Sequence, residues 1–180
     1  MNPLVSLTKQ AVENFVKEGK IIEVPGDLPE EFFKRKAGVF VTIYTKYQIQ
    51  NTKYELRGCI GTYLPTKENI AEEIIHNAIA VATEDYRFGP IQKEELPYLS
   101  YTVYILSQPE LVKDIKELNP KNFGIIVKTA EMPFKSGLLL PDLEGVDTIE
   151  QQISIACQKG GIEPATEKII IYKFTVEKFE

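Results

Sequence analysis

Apolar residues recur at helical spacing at Leu4, Leu7, Ala11, Val12, Phe15 and Val16, and the run stops at Gly19. That pattern predicts a helix over 4–18 with Gly19 as its C-cap. Pro25, Gly26 and Pro29 mark the next stretch as a loop, with Phe32 and Phe33 tucking it onto the core. The β-branched and aromatic run from Ala37 to Thr45 predicts a strand. Residues 46–52 read as a polar connection and 53–60 as the hairpin partner. A helix is expected from Thr66 to about Thr83, burying Ile70, Ala71, Ile74, Ile75, Ala78, Val81 and Ala82. His76 falls on its opposite, polar face near Glu72, Glu73 and Ala80. Leu99 to Ser107 is a strand whose weak alternation suits a sheet covered on both faces.

Further on come a helical turn at Asp114–Leu118, a strand at Phe123–Lys128 and an apolar segment from Gly137 to Pro141. Asp147 and Glu150 form an Asp-x-x-Glu capping box for a helix that ends at Gly160-Gly161. Its inner stripe is Ile149, Ile153, Ala156 and Cys157, so Cys157 reads as packing. Residues 168–176 close the chain as one strand, with Ile169, Ile171 and Lys173 on one face. Hairpin-like neighbours and few helices predict an α+β fold with a largely antiparallel sheet. At 180 residues the chain is one domain over 1–180, with room for a small extra lobe.

Charge narrows the function. A net charge of −5 and a pI near 5.2 argue against general nucleic-acid binding, which needs a basic face. No apolar run approaches about 20 residues, and the first residues lack a basic-then-apolar leader. Two cysteines far apart make no disulfide framework, so the expected setting is a reducing cytoplasm. No His-Glu-x-x-His or Cys-x-x-Cys spacing points to a metal, and G-x-G-x-x-G spacing is absent. The sequence names no cofactor.

Chemistry concentrates in two stretches. Leu56-Arg57-Gly58-Cys59-Ile60-Gly61-Thr62 puts an arginine, a cysteine and two glycines at a strand end. Regular alternation would place Arg57 and Cys59 on one face, with Tyr54, Leu56 and Ile60 on the other. Glycines without Cβ let another group come close, and free N–H groups beside an arginine suit an anion. An arginine next to a cysteine also favours the thiolate. The plainer reading is a bulge and strand exit at Gly58 and Gly61, with Cys59 as a small buried hydrophobe. The second stretch is Glu84-Asp85-Tyr86-Arg87-Phe88-Gly89-Pro90. It builds either part of a site or only a local Asp85–Arg87 pair with Phe88 plugging the core. The chain has three arginines, Arg35, Arg57 and Arg87, against eighteen lysines, and two fall in these stretches. Arginine is chosen where a planar bidentate donor is needed.

Leu56 to Tyr63 resembles the signature of the AMMECR domain family. The likeness continues in order through Ala78 to Pro90, Glu94-Glu95-Leu96, the strand to Ser107 with Pro109-Glu110, Gly137 to Pro141, and the closing strand. Tyr86 stands where the family has proline and Asp142 where Gln is common, and the C-terminal tryptophans are missing. The resemblance implies an α+β fold with a large and a small lobe and a cleft near the signature. It also implies association with Memo-like and radical-SAM proteins, and it brings no agreed reaction. On this basis the candidate ligand-contacting residues are Arg57, Gly58, Gly61, Thr62, Asp85, Arg87 and Phe88. Cys59 is the candidate nucleophile or redox group, for a small anionic molecule. The alternative is a non-catalytic adaptor whose motif docks a partner. An RNA-binding module using Tyr and Phe for stacking fits the acidic balance worst.

Overall fold

A computed structural model describes residues 2–46 and 54–180. Residues 47–52 of the predicted polar connection and residue 53 of its partner strand lie outside the described residues, while Lys46 ends the first strand. The chain forms two compact units, Met1–Leu106 with Glu177–Glu180, and Ser107–Val176.

In the first unit, helix α1 (Pro3–Glu18) starts where the Asn2 side chain accepts the Leu4 N–H at 2.9 Å. It ends at Gly19, whose φ of 69° lets its N–H reach the Phe15 carbonyl. The short helix α2 (Glu31–Lys34) buries Phe32 but leaves Phe33 at the surface, so only one of the two aromatics tucks in. Strands β1 (Val39–Lys46), β2 (Tyr54–Thr62), β3 (Leu99–Leu106) and the final β8 (Val176–Phe179) form one sheet in the order β2-β1-β3-β8. β1 runs antiparallel to both β2 and β3. Its Val39, Val41 and Ile43 are fully buried and join Leu4, Leu7, Ile70, Ile74, Val81, Val103 and Ile105 in one core.

Helix α3 (Ile70–Thr83) begins four residues later than the periodicity predicts. Asn69 is extended, and its side chain accepts the Glu72 N–H. Thr66 and Lys67 instead give their N–H groups to Glu73, which holds them in a loop.

In the second unit, β4 (Glu110–Leu111), β5 (Gly124–Thr129), β6 (Ser136–Leu139) and β7 (Ile169–Phe174) form an antiparallel sheet ordered β4-β7-β5-β6. The apolar segment after Ser136 is thus an edge strand, and Asp114 caps a single 3-10 turn over Ile115–Glu117. Helix α4 (Ile149–Gly160) is capped by Thr148 and Gln151, not by Asp147 and Glu150. The Gln151 amide oxygen takes the N–H groups of Asp147 and Thr148 at 2.9 and 3.0 Å, a reach Glu150 does not make. Ala156 and Cys157 are buried there against Ile125, Val127 and Leu139. The predicted single closing strand is two, interrupted at Thr175, and they belong to different sheets. The fold is α+β with two antiparallel sheets flanked by helices, as expected.

Candidate functional site

The site begins with a break in strand regularity. Ile43 lies opposite Gly58, but Tyr44 lies opposite Leu56, so Arg57 is an extra residue in β2. This bulge resets the alternation. Leu56 therefore shares the face of Cys59, and Arg57 and Cys59 are not successive members of one regular face. The expectation from strict period two fails here because one inserted residue flips everything beyond it.

Arg57 goes to the segment after α3. Its Nε and Nη2 donate to the Glu95 carboxylate at 2.6 and 2.9 Å, and Nη1 and Nη2 donate to the carbonyls of Gly89 and Pro90 at 3.1 and 3.2 Å. Its side chain is only 11% exposed. The Arg57 bonds lead in holding the Glu95 carboxyl below the usual range, against a burial penalty. Glu95 also accepts the Gln92 N–H at 2.7 Å, closing a capping box on the 3-10 helix Lys93–Tyr98.

Cys59 and its opposite residue Thr42 have side chains close enough for the threonine hydroxyl to donate to Sγ at 3.2 Å. The backbone of Cys59 turns outward, away from β1. Its N–H donates to Asp85 Oδ2 at 2.9 Å, and its carbonyl accepts from Arg87 Nη2 at 3.3 Å. Asp85 is 4% exposed and grips Arg87 through Nε at 2.9 Å and Nη2 at 2.7 Å. The Arg87 bond leads in pulling the Asp85 carboxyl below its ordinary value, with the Cys59 N–H adding to it. Phe88 does not plug the core. It is partly exposed with its ring 5.2 Å from the Arg87 guanidinium, and Ile91 is the residue buried there.

The two motif glycines serve close approach, not left-handed backbone. A Cβ on Gly58 would come within 2.8 Å of Val81 Cγ2, and one on Gly61 would run into the Val39 carbonyl and the Phe40 ring. Gly89, part of the second motif stretch but not among the candidate contacts, is the left-handed residue of the loop, with φ 71°.

Glu73 is the largest correction. The helical wheel set it beside His76 on the polar face, yet it is 1% exposed. It accepts from Thr62 Oγ1 at 2.7 Å, Thr66 N at 2.7 Å, Thr66 Oγ1 at 2.9 Å and Lys67 N at 2.8 Å. Burial pushes its carboxyl up, and these bonds together more than offset it, leaving it below the ordinary value. Thr62 thus ties the end of β2 to α3. Ala80, set on the same polar face, is buried as well.

Three further residues join Cys59 through strand register. Thr42 and Tyr44 of β1 and Tyr104 of β3 share its sheet face. Tyr104 is buried, bonds the Tyr44 hydroxyl and lies near Cys59; burial is the leading cause of its raised phenol pKa. The alternation Phe40-x-Thr42-x-Tyr44 was the available signal for this polar row.

His76 is exposed beside a groove of about 560 Å³ shared with Ile22, Glu72 and Ile79. His76→Gln is expected to change unfolding free energy in urea by no more than about 0.5 kcal/mol, as for a surface substitution. Among the described residues no three His, Cys, Asp or Glu side chains gather as a metal site, and no helix is long and apolar enough to cross a membrane.

A family model described as AMMECR1 matches residues 5–179. A protein of Thermotoga maritima is 50% identical over 179 residues, covering 99% of this chain and 98% of its own. A protein of Clostridium acetobutylicum is 40% identical over 99% of this chain, which spans only 35% of that relative's length. The crystal structure of an uncharacterized protein from Pyrococcus horikoshii superposes with a TM-score of 0.85 at 36% identity, covering 97% of this chain and 88% of that one.

Proposed function

The chain belongs to the AMMECR1 family, and on that premise we propose that it binds a small anionic molecule at the corner where Cys59 meets Arg87. The observation that carries this reading is the half-buried Cys59 thiol, with the Thr42 hydroxyl on its sulfur and the Arg87 guanidinium on its carbonyl. Asp85 holds Arg87 through Nε and Nη2, and among the described residues Nη1 makes no hydrogen bond. The Arg87 side chain is 43% exposed, so Nη1 is the donor that an incoming carboxylate or phosphate oxygen meets. Asp85 offsets the charge of Arg87, so affinity rests on donor geometry and is modest. Arg57 supports the corner from behind. Its donors are engaged by Glu95 and two carbonyls, which fixes the loop carrying Arg87.

The test is thiol accessibility with an internal control. Iodoacetamide at neutral pH is expected to modify Cys59 well before Cys157 in the folded protein. Cys157 is buried, and burial, followed by the charges of Glu163 and Glu167, raises its thiol pKa. Cys59→Ser should stay folded, at a cost of about 1–2 kcal/mol. Equal, slow labelling of both thiols until the protein unfolds would make Cys59 a packing residue and remove this reading.

A second reading has its own observation. Tyr86 is 93% exposed, and Tyr54, Leu56 and Leu64 also leave apolar surface near the motif. Such a rim suits an adaptor that docks a partner protein, and the Memo-like and radical-SAM proteins implied by the family are the partners to try. Tyr86→Ser would then abolish partner association while leaving Cys59 labelling unchanged.

A further inference from the structure

Part of β3 is left uncovered by its outer neighbour. β8 runs back along β3 from the bond between the Ser107 N–H and the Thr175 carbonyl, and it ends at Phe179, opposite Val103. The Leu106 N–H bonds the Gly38 carbonyl on the β1 side. Alternation then turns the backbone groups of Tyr104, Thr102 and Ser100 toward β1, and those of Val103, Tyr101 and Leu99 outward. β8 covers Val103, and the Leu99 N–H is spent on the Leu96 carbonyl of the preceding 3-10 helix. Three outward groups are left without a partner among the described residues: the Tyr101 N–H and the carbonyls of Tyr101 and Leu99.

Open strand edges are normally guarded by a charge, a proline or a bulge. The β2 edge has a bulge and the Asp85–Arg87 pair. Leu99-Ser100-Tyr101-Thr102 has none of these, and its register against β1 is unbroken. A groove of about 750 Å³ runs along these residues. Strand register sets its two sides. Val5 and Lys9 of α1 lie on the core side with Leu99, and Tyr44 and Tyr54 lie on the opposite side with Ser100. Its charged side chains are one of each sign, Lys9 and Glu180.

We propose that this edge receives an extended segment of a partner protein as an added strand, antiparallel to β3 and in line with β8. The free groups are main-chain ones in a row, so a strand meets them, whereas a helix has already spent its own N–H and C=O groups. Residues of the segment opposite Tyr101 and Leu99 bond the three free groups. Their side chains turn to the core side, against Val5 and Leu99. The residue between them, opposite Ser100, turns its side chain to Tyr44 and Tyr54, where an aromatic ring packs best. The balanced charges of the groove select an uncharged segment, β-branched on one face and aromatic on the other.

The experiment uses the full chain and the capped peptide acetyl-Thr-Val-Tyr-Val-Thr-amide, whose valines stand opposite Tyr101 and Leu99 and whose tyrosine stands opposite Ser100. In the free protein the Tyr101 amide is expected to exchange with deuterium far faster than those of Ser100 and Thr102. The peptide should bind saturably in calorimetry and slow that exchange. N-methylation of both valines removes two donors to the edge and should weaken binding about tenfold or more. N-methylation of the tyrosine, whose N–H points to solvent, should leave the affinity unchanged. Ser100→Lys places a guard on the edge and should weaken the peptide as well. Tyr86→Ser and Arg87→Ala should leave binding unchanged, which separates this edge from the Tyr86 rim and the Cys59 corner. Absence of saturable binding, a Tyr101 amide already protected in the free protein, or an equal loss on methylating the tyrosine would overturn the proposal. So would a dimer in sedimentation equilibrium that the peptide dissociates, because the edge would then belong to a second copy of the chain.

Discussion

Replacing Glu73 with alanine is expected to cost about 3–5 kcal/mol, the range for removing one partner from a buried charged network. Five donors converge on this carboxylate: two backbone N–H groups, two hydroxyls and, at 3.5 Å, the Asn77 amide. Without it, the N–H groups of Thr66 and Lys67 lose their acceptor, and the end of β2 loses its tie to α3. Asn77 would keep its Nδ2 bond to the Val39 carbonyl at 3.0 Å and lose its longer one, 3.5 Å, to Glu73. Glu73→Gln should fall between, since an amide keeps one accepting oxygen and turns an NH₂ toward donors. The pH dependence has a fixed sign. The folded carboxyl lies below its ordinary value, so near that value the unfolded chain binds more protons and stability rises with pH. The contribution is complete above the unfolded value of about 4.3 and is lost as pH falls through the lower folded one. The gap between wild type and Glu73→Gln, read by circular dichroism in urea, should therefore narrow in acid. A gap that widens as the pH drops would mean that the carboxylate is not held by these bonds.

Gly137→Ala should be at least as damaging to the second unit. A Cβ there would run into the Ala156 carbonyl oxygen and sit 2.9 Å from the Gly160 nitrogen. Both are backbone atoms of α4, so no side chain can turn aside. Gly160 meets the mirror-image limit, with its own Cβ position 2.7 Å from the Ser136 carbonyl carbon. β6 and α4 touch main chain to main chain, and a methyl group forces them apart. Overpacking commonly costs about 1–3 kcal/mol and more where nothing yields; a loss near 3 kcal/mol or above is expected. Gly26→Ala is the control. Nothing lies within 4 Å of its Cβ position and its φ is not positive, so a change within about 1 kcal/mol, of either sign, is expected. Because Ala156 adjoins Cys157, Gly137→Ala should also bring forward the alkylation of Cys157. Unchanged labelling together with an unchanged midpoint would show that the two segments can separate freely.

The sequence carried the element types well where a period ran unbroken. Residues 4–18 and the β-branched run before Lys46 are such places, because burial on one face enforces the repeat. It failed where one residue breaks the repeat. The extra Arg57 leaves no compositional mark, so the faces of β2 beyond it came out inverted. Glu73 and His76 are three positions apart on one helix and look equivalent on a wheel. One is buried because a loop with two donor-rich residues folds over it, and the other faces solvent. That difference belongs to tertiary structure. Arg57, Cys59, Asp85 and Arg87 were all legible as special residues. Their pairing was legible only within the Asp85-x-Arg87 triplet, since Glu95 and Thr42 reach the motif across the fold.

The Asp85–Arg87 grip on Cys59 has a consequence for the protein in crowded solution. β2 is the terminal strand of its sheet, and a terminal strand offers unpaired N–H and C=O groups on which another chain can template itself. At Cys59 one side-chain carboxylate and one guanidinium stand where the next strand would lie, answering its N–H and its carbonyl in turn. The charged pair acts as a gatekeeper against cross-β stacking at the middle of that edge. The bulge at Arg57 twists the same edge away from flat pairing a step earlier. Colloidal stability and the chemistry of the motif thus rest on the same few atoms, and a change there trades against solubility as well as against binding.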